Sequence, residues 1–147
     1  MPKTREAYDR DGYASVWIGS FESEDDLRAY VREGEFSGSD QFTQFCADLG
    51  VRPPLGFYRD PPPPGGEGAA ARFTTRTIGV RELIRLVPFA GIFADDAAAV
   101  AEQFGVVGAN AVVCVYNFDF YGRRAEHPLR SSGMRYLGSF RFRASHA

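Results

Sequence analysis

Apolar side chains recur along this chain with two periods, and the switches between them mark the expected elements. Residues 14–21 alternate, with Trp17, Gly19 and Phe21 on one face and Val16 and Ile18 on the other, as in a strand. Ser23 then stands at a helix N-cap position, and Glu24, Asp25 and Asp26 fill a first turn where the helix dipole favours negative charge. Leu27, Tyr30 and Val31 form the inward stripe of that short helix, which Gly34 closes. Over residues 40–49, Phe42, Phe45, Cys46 and Leu49 follow the i, i+3, i+4, i+7 spacing of a second helix ending at Gly50. Residues 52–71 break both periods. Pro53 and Pro54, then four consecutive prolines and Gly65-Gly66, predict an exposed extended loop, with a PxxP ligand as the alternative.

Beyond that loop, residues 72–78 read as a strand. Val80, Leu83, Ile84 and Val87 predict a helix stopping at Pro88. A clearer helix is expected over residues 95–104, with Asp95 and Asp96 at its start and Ala97, Val100, Ala101 and Phe104 as its stripe. Residues 110–120 contain AVVCVY, apolar on both faces, as a central strand covered on both sides reads. The last strand is expected over residues 134–143, with Tyr136, Gly138, Phe140 and Phe142 on one face and Leu137, Ser139 and Arg141 on the other. This pattern predicts a single-domain α+β fold, with helices packed on one main antiparallel or mixed sheet. The near echo between SVWIGSF and RYLGSF then reads as two strands whose mid-strand glycines permit close approach.

The composition permits such a core: 44% of the 147 residues are hydrophobic, enough to bury about 70% of the unfolded surface. The polar opening residues and the absence of a long apolar run predict no secretory signal and no membrane span, so a cytoplasmic location is expected. Two cysteines, Cys46 and Cys114, lie in apolar runs and read as buried small hydrophobes. The charge is segregated. Residues 1–70 carry thirteen acidic and seven basic side chains, whereas residues 71–147 carry six and ten. Such an acidic half is either a solvated helix face or a surface that attracts a basic partner.

Candidate chemistry is sparse. The two histidines, His127 and His146, lie in a loop and next to the last residue, and no nucleophile, phosphate-loop, zinc or dinucleotide motif is present. No enzyme activity, cofactor or metal is therefore expected. Two alternatives stay open: a hydrolase built on scattered carboxylates, and a nucleic-acid-binding sheet in which Tyr136 and Phe140 stack on bases.

Four segments together, VWIGSFESEDDLRAYV, SDQFTQFCADLGV, ANAVVCVYNFDFYG and MRYLGSFRF, resemble the immunity protein 22 family of bacterial polymorphic toxin systems. The likeness spans most of the chain from Trp17 to Phe142 and is poorest at 52–71, where only Tyr58 and Asp60 remain of a tyrosine-and-acid pattern. The resemblance implies an α+β cytoplasmic protein that binds and neutralises a cognate toxin domain, typically a nuclease, by stoichiometric occlusion. It implies no direct contact with nucleic acid or membrane, and a monomer or weak dimer. A basic toxin is steered by acidic charge. The expected contact set is Glu22, Glu24, Asp25, Asp26, Glu33, Glu35 and Asp40, with Phe36, Tyr58 and Asp60, and a second surface at Asn117, Asp119 and Tyr121. Tyr30 is either an aromatic anchor or core.

Overall fold

A computed structural model describes residues 5–31, 44–51, 55–57, 68–120 and 132–143. A 3-10 turn (Arg5–Tyr8) leads into β1 (Asp9–Gly19). There follow α1 (Glu24–Val31), α2 (Gln44–Leu49), β2 (Ala69–Gly79), α3 (Val80–Ile84), α4 (Ala90–Gln103), β3 (Gly108–Phe118) and β4 (Arg135–Arg141). The strands form one sheet in the order β2-β3-β1-β4, with every neighbouring pair antiparallel. The fold is α+β, as the periodicity predicts.

Alternation along the two central strands sends side chains into two separate cores. Trp17, Val113 and Val115 face α1 and α2, where they meet Leu27, Tyr30, Phe45 and Leu49. Val16, Ile18, Val112, Cys114 and Tyr116 face α3 and α4, where they meet Leu83, Ile84, Phe93 and Ala97. Helices thus cover both faces of the sheet, and AVVCVY is buried throughout because it lies between the layers. Trp17 is the centre of the first core, packed edge-on against Phe45 at 5.0 Å and tilted against Tyr136 at 5.0 Å. Its indole N–H is buried with no hydrogen-bond acceptor among the described residues, so ring packing must offset that desolvation.

Several expected boundaries move. β1 begins at Asp9, five residues early, because four residues bulge out between the Asp9–Phe118 and Ala14–Tyr116 pairs. β2 begins at Ala69, inside the expected loop. Ala69, Ala70 and Ala71 are buried and pair with Val115, Cys114 and Val113, since small side chains let the edge strand sit under the helices. α4 begins at Ala90, so Asp95 and Asp96 are exposed mid-helix residues and cap nothing. Asp95 Oδ1 forms an ion pair with Arg81 Nε at 3.0 Å instead.

The face assignment in β4 also changes. Val16 pairs with Gly138 and Trp17 with Tyr136, which leaves Leu137 as an extra residue in a β-bulge. Gly138 has φ +127, a conformation open to glycine. Past the bulge the alternation inverts: Tyr136 joins the core under α1 and α2, while Leu137, Phe140 and Phe142 pack toward α4. The glycines of the two echoes therefore act differently. At Gly19 an added Cβ would lie 2.8 Å from Met134 Cγ, so that position requires close approach, whereas Gly138 supplies a backbone angle.

Candidate functional site

Where β1 ends, the chain is clamped before it turns into α1. Phe21 N–H donates to Asn110 Oδ1 at 2.9 Å, and Asn110 Nδ2 donates back to Phe21 O at 2.8 Å. Two residues later Ser23 Oγ accepts from Asp26 N–H at 3.1 Å, which confirms the expected N-cap. Glu22 and Asp26, just after the clamp and within the capped first turn, both line a cleft of about 490 Å³. Phe21, Ala29 and Tyr30 form its apolar lining, and Ser20, Gln44 and Ser132 complete its rim.

Tyr30 belongs to both the core and the cleft. Its ring is buried against Phe45 at 5.7 Å and Phe21 at 5.5 Å, and its hydroxyl donates to Asp48 Oδ2 at 2.5 Å. Burial, and then the bond to Asp48, push the phenol well above the ordinary tyrosine range, so it stays neutral. The core reading of Tyr30 is correct, with one edge left to line the cleft.

Glu22 and Asp26 are both exposed and share the cleft with Phe21 and Tyr30, a set that can receive a cation. The carboxylates can accept charge-assisted hydrogen bonds. Glu24 and Asp25 extend the negative charge along the exposed first turn of α1. Glu24 also meets Arg28 at 3.3 Å, an exposed i,i+4 pair of small energetic weight.

The expected contact residues separate into three groups. Glu22, Glu24, Asp25 and Asp26 come together at the head of α1. Glu33, Glu35, Phe36, Asp40, Tyr58, Asp60 and Tyr121 lie outside the described residues, as do His127 and His146. Asn117 and Asp119 lie at the opposite end of the sheet, roughly 25 Å away by strand rise. There Asn117, itself at φ 56, accepts from Gly12 N–H at 2.8 Å and fixes the β1 bulge.

Asp119 belongs to an internal network. Ser139 Oγ donates to Asp119 Oδ1 at 2.6 Å, and Arg10 Nη1 meets Asp119 Oδ2 at 2.7 Å. Tyr136 Oη lies 2.8 Å from Ser139 Oγ. Buried Ser15 Oγ accepts from Phe120 N–H at 3.0 Å, lies 2.8 Å from Phe118 O and 2.9 Å from Ser139 Oγ. Burial raises the Tyr136 phenol above its ordinary value. These groups tie β1, β4 and the end of β3 together, and their polar atoms face one another.

Sequence reasoning does not find Ser20, Gln44 or Ser132, and the clamp by Asn110 has no local signal because it joins residues 89 apart. Phe21 is legible only as a strand residue on the Trp17 face. No protein-family model, curated protein or solved structure matches the chain.

Proposed function

We propose that this chain is an immunity-type inhibitor that captures a basic cytoplasmic toxin domain, a nuclease, through the acidic cleft at the head of α1. The observation that carries the reading is the cleft itself: Glu22 and Asp26 line it together with Phe21 and Tyr30, beside two further exposed acids, Glu24 and Asp25. A nuclease must present lysines or arginines to hold phosphates. The same side chains fit this cleft, and negative potential speeds their arrival. Occupying them blocks the substrate path, so inhibition is stoichiometric and involves no turnover. The resemblance of four ordered segments to immunity protein 22 points the same way.

The competing readings find less support. A stacking surface for bases needs open rings, but Trp17 and Tyr136 are buried and Phe140 packs on Phe93 at 6.3 Å. The carboxylate-hydrolase reading draws no support from Asp119, which is engaged by Ser139 and Arg10. Co-expression tests the proposal: the toxin domain encoded beside this chain should stop growth alone and permit it when both are made. Death at equal expression of the two would reject it for that partner.

A further inference from the structure

The face opposite the cleft carries three of the four exposed large apolar side chains among the described residues, gathered in and beside one turn. Residues 86–94, LVPFAGIFA, contain no charged side chain. Val87, Ala90, Phe93 and Ala94 point into the core, while Leu86, Phe89 and Ile92 are 44%, 47% and 61% exposed. Phe89 takes the left-handed conformation at φ 65, which bulky side chains rarely adopt. Its ring rests on Phe142 at 5.3 Å and meets Tyr116 edge-on at 5.9 Å, and Tyr116 Oη donates to Pro88 O at 2.5 Å. The turn is thus held from beneath, with the outer surface of the Phe89 ring in solvent. A preorganised aromatic of this kind loses little freedom on binding.

The charges bordering this turn indicate the occupant. Arg81 and Arg85 both form exposed ion pairs with Asp95 Oδ1, at 3.0 and 3.9 Å, and at the longer distance the Arg85 guanidinium is beyond hydrogen-bond reach of that oxygen. Asp96 lies one helical turn beyond Ile92 on the exposed face of α4 and has no ion pair among the described residues. An apolar centre with an available cation and an available anion beside it is self-complementary. A two-fold interface requires that property, because each contact is made twice with the roles exchanged. The bordering charges of Arg81, Arg85, Asp95 and Asp96 cancel, so neither an anionic lipid surface nor a basic toxin gains a net electrostatic attraction there.

We propose that two copies of this chain associate through the α3–α4 turn, Phe89 and Ile92 packing across a two-fold axis and Arg85 of each copy pairing with Asp96 of the other. Because α3 and α4 cover the sheet face opposite α1, both acidic clefts stay accessible in the pair. The apolar area is smaller than the roughly 800 Å² per partner of a standard stable interface, so association is reversible and grows with concentration. The inference does not depend on the identity of the toxin.

Sedimentation equilibrium of the full chain, from micromolar to millimolar concentration, tests it. The wild type should pass from monomer to dimer. Ile92→Arg, on an exposed position that leaves the melting temperature unchanged, should stay monomeric. Arg85→Glu should weaken association by about tenfold or more, and adding Asp96→Arg should restore it. A wild type that stays monomeric throughout, a dimer indifferent to Ile92→Arg, or a charge exchange that fails to restore association would each overturn the proposal.

Discussion

Ser139 Oγ and Asp119 Oδ1 lie 2.6 Å apart across the junction between β4 and the end of β3, with the serine donating. A serine on a carboxylate can be mistaken for part of a catalytic set. Here the other carboxylate oxygen is held by Arg10, and the serine is surrounded by Tyr136 and Ser15. The pair is a structural tie. Asp119→Ala should therefore cost roughly 1–3 kcal/mol by leaving half-buried donors unsatisfied, while toxin inhibition by the folded protein stays unchanged. Urea denaturation measures the first and a growth-rescue titration the second. A variant as stable as the wild type would show that the network carries no weight.

The bulge at Gly138 makes a second prediction. At φ +127 an L side chain is strained whatever the surrounding space, and the nearest atom to an added Cβ, Phe140 Cζ, is 3.6 Å away. Gly138→Ala should lose roughly 1–3 kcal/mol from backbone strain alone, with no overpacking. A crystal structure of the variant should show β4 shifted or the bulge lost. An unchanged melting temperature would contradict the assigned backbone conformation.

Stability at alkaline pH follows from three buried groups. Burial raises the Tyr30 and Tyr136 phenols above their ordinary value of 10.0 and pushes the Cys114 thiol from 9.0 up to about 12. A group with its pKa raised in the folded state holds its proton more tightly there than in the unfolded chain. Its contribution is complete below the unfolded value and is lost as pH rises through the folded one. Unfolding free energy should therefore fall steadily from about pH 9 upward, and Tyr136→Phe should make that decline shallower. An identical slope in the variant would remove Tyr136 from the account.

Both cysteines are buried, Cys46 on the inward face of α2 and Cys114 in the middle of β3. A thiolate is the reactive form, and a neutral buried thiol presents neither charge nor access. A thiol-reactive dye near neutral pH should label neither residue in the native protein and both in denaturant. Rapid native labelling of Cys114 would mean that α3 and α4 leave the sheet far more readily than their packing implies.

How much of this was legible depended on the range of the interaction. Ser23 as a cap, the stripe of Leu27, Tyr30 and Val31, and the doubly covered strand around Cys114 all follow from neighbours within a helical turn or a strand pair. The β4 faces were misread because one extra residue, Leu137, inverts every side chain after it, and nothing in the period marks a bulge except the glycine beside it. The start of α4 was misplaced because Asp95 and Asp96 resemble a helix start, whereas Phe89 begins the helix with no side-chain cap at all. Glu22 and the three acids that open α1 are visible in the sequence as charge. The placement of Glu22 and Asp26 at a cleft depends on Asn110 of β3 and on Ser132 in the turn before β4, both distant in sequence.

The central claim is that the cleft at the head of α1 draws in a cationic toxin. Stopped-flow association of the purified toxin domain with wild type and with the Glu22→Lys, Asp26→Lys double variant, across a range of salt concentrations, tests it most directly. The account predicts a wild-type rate that falls steeply with salt, and a variant at least about tenfold slower at low salt with a flattened dependence. A variant that associates as fast as the wild type, with the same response to salt, would contradict it.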